Sequence, residues 1–254
     1  MKNLNNFSLK NKKIIILGGC GLIGSSIVDL FSRAGGNIVV IDSKKKKDLS
    51  NIKYIKSDIS NINKIEKIIV RIEKKKFVPD CLINCTFPKS ESWSKTNFKQ
   101  IKYKHLDENI RIHLNTSVWI AKFVADIMKK KKISGSIIQF SSIYGFLGQD
   151  PKIYENTEIN ESLAYTTIKG GILNSVRSMA AHYGKYNLRI NAISPGGVID
   201  KHSKRFVKNY SKKTPLNRMC FPEEIANVAL FLASNASSYI TGANIIVDGG
   251  LSII

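Results

Sequence analysis

Two side chains four residues apart, Tyr165 and Lys169, carry the first chemical suggestion in this sequence. On a helix such a pair projects from one face about one turn apart. An ammonium beside a phenol draws its pKa from about 10 toward neutrality, so the pair can exchange a proton with an alcohol or carbonyl oxygen. A second group lies near the start. The stretch IIILGGCGLIGSSI spaces Gly18, Gly21 and Gly24 three apart, after an apolar run and at the mouth of a helical pattern. Glycines there allow a tight turn, bring backbone N–H groups and a helix N-terminus onto a pyrophosphate, and let the helix pack closely on the strand. Asp42 closes the next apolar run, 24 residues after Gly18. A carboxylate at that place accepts hydrogen bonds from an adenosine ribose and repels a 2′-phosphate, which favours NAD, while Lys44 and Lys45 keep NADP open. Asp58 and Ile59, after the third run, can frame the adenine with one polar and one apolar contact.

A frame able to unite these groups is written in the alternation of patterns along the chain. KKIIILGG, NIVVID, IKYIKSD, DCLINCT, SGSIIQFSS, LRINAISPG and NIIVDGG read as seven short buried strands. Between them GLIGSSIVDLFSRAG, NINKIEKIIVRIEKKK, HLNTSVWIAKFVADIMKK, SLAYTTIKGGILNSVRSMAAHYGK and PEEIANVALFLAS repeat apolar residues at helical spacing. The expected fold is α/β, a Rossmann-type doubly wound, seven-stranded parallel sheet flanked by helices on both faces, in one domain over residues 1–254. Two stretches, 146–162 and 201–221, fit neither pattern and follow strand C-termini, where open α/β sheets bind ligands. They are candidate substrate loops.

Composition excludes several classes. With 254 residues, 43% of them hydrophobic, the chain can bury a full core, which is incompatible with a disordered tail or a disulfide-stapled miniprotein. No apolar run reaches the roughly 20 residues of a membrane span, and MKNLNNFSLK lacks a signal-like apolar segment, so a soluble cytoplasmic protein without a membrane partner is expected. Cys20, Cys81, Cys85 and Cys220, like the four histidines, show no metal spacing, and no metal is expected. A net charge of +21 invites a nucleic-acid reading. The 33 Lys, 7 Arg, 38 Ile and 22 Asn, however, follow A/T-rich codons, and the lysine runs are scattered without interleaved aromatics. A small-molecule substrate and no nucleic acid is the expectation.

The ordered segments LGGCGLIG, IDSK, SDIS, LINCT, HLNTS, FSSIYG, YTTIK, NAISPGG and SSYITGANIIVDGG resemble the short-chain dehydrogenase/reductase family in its compact form, over essentially the whole chain. The resemblance implies hydride transfer between nicotinamide and a secondary alcohol or ketone. It implies Tyr165 as acid/base, Ser142 on the substrate oxygen, Lys169 on the nicotinamide ribose and Asn115 on a proton-relay water. It also places Leu22 and Ile23 of the turn, Asn84, Pro195 and Val198 on the cofactor, Val198 through its backbone. A homodimer or homotetramer with LSII at an interface is implied as well.

The chain departs from the family at Leu17, where Thr is usual, at Cys85, where a second Asn is usual, and at Asp200, where Thr often follows the Pro-Gly motif. Its 23-residue separation of Ser142 and Tyr165 is longer than the family's. That insert, FLGQDPKIYENTEINES, with the Asn-Cys-Thr-Phe-Pro stretch, is similar to bacterial oxidoreductases of flagellin-modifying nonulosonate sugars, which implies a sugar substrate read by Asp150, Tyr154, Glu155 and Glu158. Two alternatives stand beside it: a 3-oxoacyl-[acyl-carrier-protein] reductase-like enzyme, met by Lys201, Lys204, Arg205 and Arg218, and an inactive dinucleotide-binding regulatory or structural protein.

Overall fold

The computed structural model describes residues 6–88 and 90–254. The first five residues of the MKNLNNFSLK reading lie outside the described residues. Seven strands form: β1 (Lys13–Leu17), β2 (Asn37–Asp42), β3 (Ile52–Lys56), β4 (Cys81–Asn84), β5 (Ser136–Phe140), β6 (Arg189–Pro195) and β7 (Asn244–Val247). All pair in parallel in the order β3-β2-β1-β4-β5-β6-β7, with Ile14 facing Cys81 and Leu17 facing Asn84 where β1 meets β4. The expected doubly wound sheet is therefore present, and the strand order reverses between β1 and β4.

Near-continuous apolar runs form β1 and β2 because both faces are covered, whereas the edge strand β3 alternates with exposed lysines. Ile15, Leu17, Val39, Ile41, Leu82 and Ile137 pack against Ile65 and Ile69 of α2 (Ile62–Lys74), Ile120 and Val124 of α4 (Thr116–Lys130), and Leu173 and Val176 of α6 (Leu163–Tyr183). Their neighbours Ile14, Ile16, Ile38, Val40, Ile83 and Ile138 face Ile27 and Phe31 of α1 (Leu22–Arg33) and Ile225 and Ala229 of α8 (Pro222–Ala233). Alternate residues of one strand thus serve two cores, as the two-residue period of a pleat requires.

Three helices lie in stretches without a clear pattern: α3 (Tyr103–Asn109), α5 (Pro151–Tyr154) and α7 (Lys204–Ser211). The two expected substrate loops are not merely loops. α5 and α7 pack on each other through Ile153, Phe206 and Tyr210, joined by Met219 from the stretch after α7, in a small apolar cluster separate from the two sheet faces. Between α3 and α4, Ile110–Asn115 form a π-turn, and the backbone stays helical on both sides of it.

Candidate active site

One cavity of about 730 Å³ gathers residues that follow the C-terminal ends of β1, β4, β5 and β6. It runs from Leu22 and Ile23 past Cys85, Thr86 and Phe87 to Ser142, Tyr165 and Lys169, with Pro195 and Val198 on its wall. Its far side is built by Gln149, Tyr154, Glu158 and Glu161 from one expected loop and His202 and Phe206 from the other. Of the acidic and aromatic insert residues, Tyr154 and Glu158 reach the cavity, whereas Asp150 pairs with Lys213 at 2.7 Å and Glu155 stays outside it.

At the entrance, α1 begins after Gly21 with no side chain capping its N-terminus, which leaves first-turn N–H groups free to donate. Gly24 permits this geometry: a Cβ there would stand 2.2 Å from the Gly18 carbonyl oxygen. The turn is thus a cradle closed by backbone alone, and it fits a pyrophosphate. Asp42, 8% exposed, accepts hydrogen bonds from the backbone N–H groups of Cys20 and Lys44, each at 2.9 Å. Its carboxylate retains acceptor capacity, because two oxygens offer about four lone-pair sites.

Seven expected cofactor residues do not line the cavity itself: Gly18, Gly21, Gly24 and Asp42 belong to the turn at its entrance, and Asp58, Ile59 and Asn84 are engaged elsewhere. Asp58 accepts from the Ser60 N–H and hydroxyl and holds the turn after β3, while Ile59 belongs to the apolar core. Asn84 spends its amide internally, donating to Gln139 Oε1 at 3.0 Å and accepting from the Thr86 N–H and hydroxyl. Asn84 therefore shapes the end of β4 and makes no cavity contact.

The acid/base pair is positioned by neighbours on several elements. Ser162 caps α6 by accepting from the Tyr165 N–H at 3.2 Å, and itself donates its N–H to Gln149 and shares a hydroxyl contact with Thr96. Gly145 lets the segment after β5 press on α6, since a Cβ there would meet the Lys169 carbonyl oxygen at 2.9 Å. Ser142 is thereby brought beside the Tyr165 phenol, where its hydroxyl favours the phenolate. Burial nevertheless outweighs that effect and holds Tyr165 above the ordinary tyrosine value. The expected drop toward neutrality is not seen in the protein alone. Phe87 and Trp93 wall the phenol at ring-centroid distances of 5.7 and 6.2 Å.

Lys169, 4% exposed, donates to the Phe140 carbonyl at 2.9 Å, and burial pushes its ammonium from 10.5 down to about 8. This is a cost to folding with a definite pH signature. Between about 8 and 10.5 the unfolded chain binds more protons at this site than the folded one, so stability rises with pH across that window. Lys169→Met is expected to raise stability at pH 7 by about 2 kcal/mol after the loss of the Phe140 bond, in thermal melts. The gain should shrink progressively from about pH 8 and be gone by about 10.5.

Asn115 is a correction. It is exposed and does not line the cavity, at the end of the π-turn Ile110–Asn115. The buried polar residue of that turn is His113, 1% exposed, whose ring stands edge-on to Phe87 at 4.9 Å. Sequence reasoning missed His113, Phe87 and Trp93 as site residues. A signal was available for Phe87, which sits in the stretch after β4 where the chain leaves the family pattern.

Comparison with known proteins agrees with this geometry. The family model described as Enoyl-(Acyl carrier protein) reductase matches residues 21–252. A flagellin modification protein A of Campylobacter coli is 26% identical over 95% of this chain and 98% of its own length. An L-rhamnose-1-dehydrogenase of Scheffersomyces stipitis is 31% identical over 96% and 97%. Among solved structures, a short-chain dehydrogenase of Leptospira borgpetersenii with bound NAD⁺ superposes with a TM-score of 0.89, at 30% identity over 99% of this chain and 96% of that one. Likeness of this extent, in sequence and in fold alike, places the chain in the short-chain dehydrogenase/reductase family of oxidoreductases acting on CH–OH groups.

Proposed function

We propose that this protein is an NAD-dependent dehydrogenase/reductase of a secondary alcohol on a polyhydroxylated small molecule of the sugar class. The observation that carries it is the single cavity joining the uncapped start of α1 to Ser142, Tyr165 and Lys169. The N–H groups around Gly21, Leu22 and Ile23 would hold the pyrophosphate, Asp42 the adenosine ribose, Lys169 the nicotinamide ribose, and Pro195 and Val198 the carboxamide end. Nicotinamide supplies the hydride acceptor or donor at its C4. Tyr165 takes the hydroxyl proton in oxidation and returns it in reduction, and the Ser142 hydroxyl donates to the substrate oxygen and keeps it beside the phenol. Phe87 and Trp93 screen that proton from solvent.

Support for a sugar comes from the far wall, where Gln149, Asn160, Glu158, Glu161 and Asp200 offer carboxylate and amide partners for hydroxyl groups around the Trp93 ring. Lys201, Lys204, Arg205 and Arg218, the groups suited to a carrier protein, do not line the cavity. The similarity to a flagellin-modification protein and a rhamnose dehydrogenase points the same way. We further infer a cytoplasmic oligomer of this one domain. Its support is that Ile246, Ile253 and Ile254 are 44%, 81% and 81% exposed in the single chain, and that no helix among the described residues is long and apolar enough to cross a membrane.

Thermal melts with NAD⁺, NADH, NADP⁺ and NADPH test the cofactor assignment, because a ligand of the folded state alone raises stability by RT ln(1 + [L]/Kd). NAD⁺ and NADH should stabilise wild type, and Asp42→Ala should bring NADPH up to equal effect. No shift with any nucleotide would refute the reading. Nicotinamide absorbance with polyols, deoxysugars and 3-oxoacyl thioesters then separates the sugar from the acyl substrate.

A further inference from the structure

Lys169 carries three N–H donors into an almost closed site, and the described residues give its ammonium one acceptor, the Phe140 carbonyl. Aromatic faces make up much of its remaining surroundings, with the Phe87 and Tyr165 ring centroids 5.7 and 5.6 Å from Nζ. His113 flanks the same Phe87 ring, nearly perpendicular to it at 79°. The Thr86 backbone faces His113, yet neither ring nitrogen forms a hydrogen bond of normal geometry among the described residues. Buried polar groups of folded proteins rarely stay unpaired, so this imidazole calls for a partner. Burial and the Lys169 charge both disfavour its protonation. A neutral ring has one donor nitrogen and one acceptor nitrogen. Surplus donors on Lys169 and a surplus acceptor on His113 thus flank one aromatic ring, with no direct hydrogen bond between them.

We propose that His113 is a positioning residue for Lys169: its acceptor nitrogen takes a hydrogen bond from the ammonium through one water, and so keeps Lys169 charged and aimed at Tyr165. This rests on the dehydrogenase reading of the cavity, and it moves the supporting role expected of Asn115 to a side chain two residues earlier. The proposal has a chemical consequence because Lys169 titrates at about 8, close to working pH. Losing an acceptor for the charged form lowers an amine's pKa further, and a neutral Lys169 would no longer favour the Tyr165 phenolate. The other titratable groups facing the pair are Cys85 after β4, Tyr165 on α6, and Tyr144 and Tyr154 behind Tyr165. Burial raises all four, so none of them titrates alongside Lys169 near pH 8.

The test reads Lys169 itself. In protein labelled with [13Cε]lysine, the Lys169 resonance, identified by its loss in Lys169→Ala, is titrated in wild type, His113→Phe and His113→Asn. The midpoint should fall by about one pH unit in the Phe variant and return toward wild type in the Asn variant, which restores an acceptor oxygen. Where a Phe ring disrupts packing, His113→Leu supplies the same comparison. A midpoint that stays in place while melting temperature drops would show a purely structural histidine and overturn the proposal. NADH melts on the same samples keep the two readings apart. Stabilisation by NADH with an unmoved Lys169 midpoint defeats the His113 role alone, whereas no stabilisation of wild type defeats the dehydrogenase reading and this role with it.

Discussion

Tyr165→Phe should lower turnover by about a thousandfold, within the range for loss of a positioned acid/base group, while leaving the NADH-induced rise in melting temperature intact. The substitution removes one oxygen and keeps the ring, which packs against Phe87 and Trp93. The phenol's partner, Ser142, also accepts from the Tyr144 N–H at 3.2 Å, so it is not stranded by the loss. Stability should therefore stay within about 1 kcal/mol of wild type. Ser142→Ala should cost less, and the double variant should lose little more than Tyr165→Phe, because residues acting as one unit are not additive. Turnover within tenfold of wild type would remove Tyr165 from the chemistry.

Gly24→Ala acts at the other end of the cavity and should be the most destabilising single-methyl change in the cofactor turn. The new Cβ would meet two backbone groups, the Gly18 carbonyl oxygen at 2.2 Å and the Gly19 Cα at 2.9 Å, neither of which can rotate away. Relief requires α1 to tilt, and α1 is held by Ile27 and Phe31 in the core it shares with α8. A loss of about 3 kcal/mol, at the upper end of overpacking costs, is expected in denaturant melts, with NADH stabilisation reduced more than tenfold in apparent affinity. Gly148→Ala provides the control: a Cβ there meets nothing within 4 Å, so it should change stability by less than about 0.5 kcal/mol. Equal behaviour of the two variants would contradict the close packing assigned to the turn.

Much of this architecture was legible because inner strands carry nearly unbroken runs such as IIIL or NIVVID, which make sense only when both faces are buried. Ser142, Tyr165, Lys169, Leu22, Ile23, Pro195 and Val198 converge on the cavity as expected. The failures have physical causes. Asn115 was placed by the family resemblance of HLNTS, and the π-turn over Ile110–Asn115, which leaves no glycine or proline as a sign, brings His113 and not Asn115 inside. α5 and α7 went unseen because helices of four and eight residues hold too few turns for periodicity to stand out, and their apolar residues face each other and not the sheet. Asn84 has the right residue type for a ligand contact, but only three-dimensional proximity reveals that Gln139 and Thr86 already occupy its amide.

The placement of β1 in the middle of the sheet also bears on how the chain acquires its form during synthesis. β1, β2 and β3 with α1 and α2 are complete by residue 74, yet the second edge of β1 waits for β4 at residues 81–84. A nascent chain that has emerged only through α2 therefore presents an open, all-apolar strand edge, the kind of surface that recruits chaperones or pairs with a neighbour. Arrested translation products ending before residue 81 should accordingly be aggregation-prone, and protection should come only in products that extend past β6 and β7, when every inner strand has both neighbours.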